Sequence, residues 1–174
     1  MFFIKALQKK AIGKLTTVRE VIFMPVYNAK KVTIIYNTTE DGVGEAIDFL
    51  TSLLDNKKIA YEGIAINTGK LPLDPSSLKK GFNLIEKKDL NRIGLPVTEF
   101  KKPFGGESAD LLFDFAPEYN FTQDYIVRLC DASFKAGRIN YDSNPFDFIA
   151  GGGSGKPLEF IEHTINYLTS IKPA

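Results

Sequence analysis

Apolar residues recur along this chain with two different periods. Val43, Ala46, Ile47, Leu50, Leu53 and Leu54 stand at i, i+3, i+4, i+7, i+10 and i+11, the spacing of one helix face. The run before them, VTIIY at 32–36, is short and β-branched, and a polar turn follows it from Asn37, which predicts a strand. IAYEGIAI at 59–66 reads as a second strand. A strand, a helix and a strand joined by a crossover of this length predict parallel pairing with a right-handed connection. The same order returns later. DLLFDF at 110–115 is apolar on both faces, as a strand covered by helices on both sides must be. Phe121, Tyr125, Ile126, Leu129 and Cys130 form the face of the next helix, and SFKAGRI at 133–139 is the next strand. The two units agree only loosely in length and share no residue motif, so they are not an internal repeat.

Between the units, FNLIEKKDL predicts a strand over Phe82–Glu86, while Pro72, Pro75, Pro96 and Pro103 break the surroundings into loops. The whole predicts an α/β fold: a single-domain, mainly parallel open sheet of about five strands with flanking helices. The expected strand order is 3-2-1-4-5, with strands starting near 82, 59, 32, 110 and 133. Residues 16–31, TTVREVIFMPVYNAKK, read equally as a strand or a packed loop. At the far end Pro157 and Glu159 suit the first turn of a closing helix, whose apolar face is Leu158, Ile161, Ile165 and Leu168.

The N-terminal segment MFFIKALQKKAIGKL is amphipathic. Phe3, Ile4, Leu7, Ala11 and Leu15 follow helical spacing, and Lys5, Lys9, Lys10 and Lys14 fall largely elsewhere. The expected organisation is an amphipathic helix over 1–15 ahead of one Rossmann-like α/β domain over 16–174. Docking on its own domain through Phe3, Leu7 and Ala11 is the leading reading of this helix. A membrane surface or a partner is the other possible seat.

Composition narrows the function classes. A length of 174 residues suits one domain with a real core. Hydrophobic residues are 44% and charged residues 25%, an ordinary globular mixture. The net charge of +1 supplies no overall field to recruit nucleic acid, so no nucleic-acid partner is expected. The single Cys130 excludes an internal disulfide and a cysteine-rich metal site, and its helical apolar setting predicts an inert buried thiol. Only FFI separates the initial methionine from the first lysine, too short for a secretory core, and no later run has membrane-spanning length. A cytoplasmic protein is expected.

In open α/β sheets, ligands bind beyond the carboxyl ends of strands where strand order reverses. That point falls between the first strand and the fourth, with the loops NTTEDGVGEA and DFAPEYN on either side. The candidate ligand-binding residues are Asn37, Thr38, Asp41, Gly42, Asp114 and Arg138. Asp114 interrupts an apolar run, which places it at the rim of the crevice with Arg138 as a candidate partner. It serves either as a structural carboxylate, the leading reading, or as a ligand contact. Glu40, Asp41 and Glu45 would repel a phosphate, no G-x-G-x-x-G is present, and capping of the helix N-terminus accounts for the acids. AGGGSGKP departs from the P-loop pattern at Ala150 and Pro157 and reads as a flexible connector. His163 is the only histidine and lies off the apolar face of its helix, where solvent is expected, so neither a catalytic residue, a metal site nor a cofactor is predicted. Tyr27, Tyr36, Phe104, Tyr119, Phe121, Tyr141, Phe146 and Phe148 supply aromatics near loops, for packing or for a pocket.

Two resemblances follow from these residues. ADLLFDF…YIVRLCDASFKAGRI resembles the fourth-strand region of heptosyltransferase-type glycosyltransferases. In that family an aspartate of a Gly-Asp loop after the first strand acts in catalysis. The corresponding residues here are Asp41 and Gly42, in reversed order. Those enzymes have two Rossmann-like domains, the second binding the sugar nucleotide. Lys88–Asn91, Gly94, Pro96, Leu111–Phe115 and Ala132–Gly137 are similar to a small family of uncharacterised bacterial proteins, over most of the chain. The expected function is a non-catalytic module that binds a protein or small-molecule partner. The alternatives are a sugar- or nucleotide-processing enzyme and a peripheral membrane protein held by its N-terminal helix.

Overall fold

Two runs apolar on both faces lie side by side at the centre of the sheet. They are β1 (Lys31–Asn37) and β4 (Ala109–Asp114), buried through most of their lengths. This arrangement comes from a computed structural model that describes residues 1–15, 18–97, 108–150 and 155–171. Outward from β1 lie β2 (Ala60–Asn67) and then β3 (Phe82–Glu86); outward from β4 lie β5 (Ala132–Gly137) and then β6 (Phe148–Ile149). Every pair is parallel, and the order is β3-β2-β1-β4-β5-β6. The expected order therefore holds, extended by one edge strand. β6 is only two residues long, too short for any alternation to announce it.

Helices cover both faces. α2 (Val43–Asn56) and α4 (Pro157–Ser170) pack together on one side, over Ile34, Leu111, Phe113 and Phe134. α3 (Phe121–Leu129) covers the other, over Ile35, Ile64, Ile85 and Leu112. Pro157 opens α4, and Glu159 accepts from the Lys156 backbone N–H at 3.3 Å.

The segment 18–25 is a packed loop rather than a strand. Ile22 N–H donates to Ser133 O at 3.1 Å, Arg19 reaches the Ala132 and Ser133 carbonyls, and Arg19 pairs with Asp147 at 2.5 Å. A 3-10 turn at Val26–Asn28 then feeds β1.

α1 (Phe2–Gly13) buries none of its residues. Leu7, Gln8, Ala11 and Ile12 are half-covered, and Gln8 Nε2 donates to Ile93 O at 2.9 Å. Leu7 and Ala11 thus face the domain as expected, but Phe3 does not: it is 73% exposed. Phe3 lies four residues before Leu7, yet at the first turn the helix has already left the body behind.

Candidate functional site

The reversal of strand order between β1 and β4 puts their two following loops together. Side-chain parity then decides what meets there. Phe113 and Phe115 belong to the α2–α4 side and Leu112 to the α3 side, so Asp114 turns toward α3. Asp114, expected at or near the rim of the crevice, is 2% exposed at the end of β4. Gln123 Nε2 donates to its Oδ1 at 2.5 Å, and Ala116 N–H donates to the same atom at 3.3 Å. Gln123 is in position because Asn120 caps α3, accepting the Gln123 backbone N–H at 3.0 Å. Burial pushes the Asp114 carboxyl up to about 7, against the two hydrogen bonds, and the nearby Asp124 adds to the rise.

Arg138 is not the partner of Asp114. Asp114 is in register with Gly137, so the next residue of that chain emerges on the opposite face. There Arg138, 5% exposed, donates through Nη1 to Glu40 Oε1 at 2.5 Å and to Phe115 O at 3.2 Å, and through Nη2 to Gly155 O. One guanidinium thereby ties the loop after β1, the end of β4 and the approach to α4. Glu40 Oε2 and Arg138 Nε are buried without a hydrogen-bond partner among the described residues.

The other candidates separate from this centre. Asn37 turns toward β2, donating to Thr68 Oγ1 at 2.9 Å and accepting from Thr39 N–H at 3.0 Å. Thr38 N–H donates to Ile66 O at 2.9 Å. Asp41 is exposed, and Gly42 is the residue before α2, at a φ of 77° that favours glycine. Glu40, read only as a helix-terminus acid, is the loop residue that enters the crevice. Gln123 was also missed, although Asn120 three residues earlier marks the turn that aims it. Nothing in the sequence near Glu40 signals a partner 98 residues away.

Of the remaining motifs, the glycine run 151–154 and Phe104 lie outside the described residues. His163 is exposed. Cys130 is buried and its thiol is pushed up to about 12 by that burial. Among the described residues, no group of three His, Cys, Asp or Glu side chains is placed to hold a metal, and no helix is long and apolar enough to cross a membrane.

Two of the cavities among the described residues carry lysines and acids together, and both lie away from the reversal point. One of about 400 Å³ sits at the ends of β2 and β3, lined by Lys70, Lys88 and Glu86 among others. Lys88, the Leu73 N–H and Asn67 hold the Glu86 carboxyl down at about 2. The other, about 660 Å³, lies between α1 and the outer side of α3.

A family model described as a family of unknown function (DUF6913) matches residues 2–171, so the chain belongs to that family. No curated protein and no solved structure matches the chain.

Proposed function

We propose that this member of a family of unknown function is a binding module without independent catalysis, taking a protein or small-molecule partner. One observation carries the reading. The ionisable groups brought to the reversal of strand order are bonded to the protein itself: Arg138 to Glu40 and two carbonyls, Asp114 to Gln123 and Ala116. A general acid or base must reach a substrate proton, and these groups are already committed and nearly fully buried. A sugar- or nucleotide-processing enzyme would need Asp41, Asp114 and Arg138 in one crevice. Parity sends the last two to opposite faces of the sheet, and Asp41 lies in solvent. Native mass spectrometry of protein purified from its own host tests the proposal. A bound molecule in fixed stoichiometry, unchanged in mass after long incubation, is the expected result; turnover of that molecule, or an unliganded chain throughout, overturns it.

A second reading has an observation of its own. Phe2 and Phe3 are 91% and 73% exposed at the tip of α1, directly beside Lys5, as in helices that lie on anionic membranes. Co-sedimentation with phosphatidylserine vesicles that is lost in Phe2→Ser/Phe3→Ser would favour it. No sedimentation at low salt would remove it.

A further inference from the structure

The cavity between α1 and α3 has walls of two distinct chemistries. On α1, Lys5, Gln8, Lys9 and Ile12 stand at i, i+3, i+4 and i+7 and so share the face that lines it. Lys5 and Lys9 are like charges one turn apart, which disfavours the helix, and neither forms an ion pair with a described residue. Opposite them, Tyr119 and Tyr141 meet edge to face with ring centroids 5.0 Å apart, and Tyr119 is 53% exposed.

Neither acid lining the cavity, Asp124 or Asp142, forms an ion pair with Lys5 or Lys9. Asp124 is engaged, accepting from Arg128 Nε at 2.9 Å and from Tyr141 Oη at 2.8 Å, while Arg128 also donates to Ser143 O. Asp142 also lines the cavity, is exposed and forms no ion pair with a described residue. A volume of about 660 Å³ is that of a small-molecule site. α1 itself buries no residue, and among the described residues the side-chain hydrogen bond that ties it to the body runs from Gln8 to Ile93 O. A molecule seated beneath it would bridge helix and body.

We infer that this cavity binds a small aromatic anion, its flat apolar body between Ile12 and the Tyr119–Tyr141 pair and its anionic group at Lys5 and Lys9. The site is distinct from the Arg138 crevice and stands whether or not that crevice binds anything. The probes are 1-anilinonaphthalene-8-sulfonate, a flat aromatic anion, and its neutral counterpart N-phenyl-1-naphthylamine, titrated by fluorescence against the full chain. One saturable sulfonate site per chain is expected. Lys5→Gln/Lys9→Gln, changing two exposed side chains, should weaken the sulfonate about fivefold and leave the neutral probe unchanged. Tyr119→Ser, at an exposed ring, should weaken both probes. Equal sulfonate affinity in the lysine variant, unchanged affinities in Tyr119→Ser, several equivalent sites, or no saturable binding would each overturn the inference.

Discussion

Arg138 meets Glu40 at 2.5 Å across the line where strand order turns from β1 to β4. This line is where open α/β sheets commonly receive a ligand, and here an internal ion pair spans it. The pair joins residues from two crossover units that no local contact would bring together. Its loss should be felt across the carboxyl edge of the sheet.

Arg138→Met should therefore cost about 3 kcal/mol in urea denaturation, because it leaves the largely covered Glu40 carboxylate and the Phe115 and Gly155 carbonyls without their donor. Glu40→Met/Arg138→Met should cost less than the single change, since no charge is then stranded. A neutral Arg138→Met would show that the guanidinium is no structural tie.

Asp114→Asn should become more favourable relative to the wild type as pH rises. The folded carboxyl sits near 7 against an unfolded value of 3.8, so the wild type gains from its bound proton below about pH 4 and loses that gain as pH rises through 7. The difference between the two proteins should change by at most about 4 kcal/mol between pH 4 and pH 8. Asparagine can still accept from Gln123. Melts at several pH values check this, and a pH-independent difference would sink it. Stabilisation at neutral pH thus follows from burial alone and would not by itself identify a ligand site.

Lys135 lies in β5 with its ammonium buried and donating to Val127 O at 2.7 Å. Burial, then the charge of Arg19, brings it down to about 8 from 10.5. The unfolded chain holds the extra proton between those values, so wild-type stability gains from this group as pH rises from 8 to 10.5 and loses that gain as pH falls through 8. Lys135→Met should lack this rise. Its stability relative to the wild type should be greatest near pH 7 and shrink toward pH 10, measured by chemical denaturation.

Gly137→Ala should destabilise by about 2 kcal/mol. A Cβ there would stand 2.4 Å from the ring of Phe146, which has to move. Gly137→Ala/Phe146→Leu should recover part of the loss, and strictly additive costs from the two changes would rule out this clash.

Much of the fold is written in local pattern. VTIIY and DLLFDF are apolar on both faces, and only a central strand can bury both, so the core of the sheet follows from the residues themselves. The helical faces of α2 and α4 and the Pro157 start are equally direct, because the 3.6-residue period reports one buried stripe. The site was less legible. Asp114 stands out as a charge in an apolar run, but its partner depends on which face it takes and on what the neighbouring strand presents there.

What the sequence by itself determined is therefore the five longer strands and the helices that cover them, since each depends on sums over nearby residues, and from these the parallel pairing and the place where the order reverses follow. Tertiary structure alone decided that Arg138 pairs with Glu40 and Asp114 with Gln123, that β6 forms an edge, and that Lys5 and Lys9 border a cavity. The physical reason is parity and distance. A one-residue difference in register sends a side chain to the other face of a sheet, and a contact 98 residues apart leaves no trace in the periodicity of either segment.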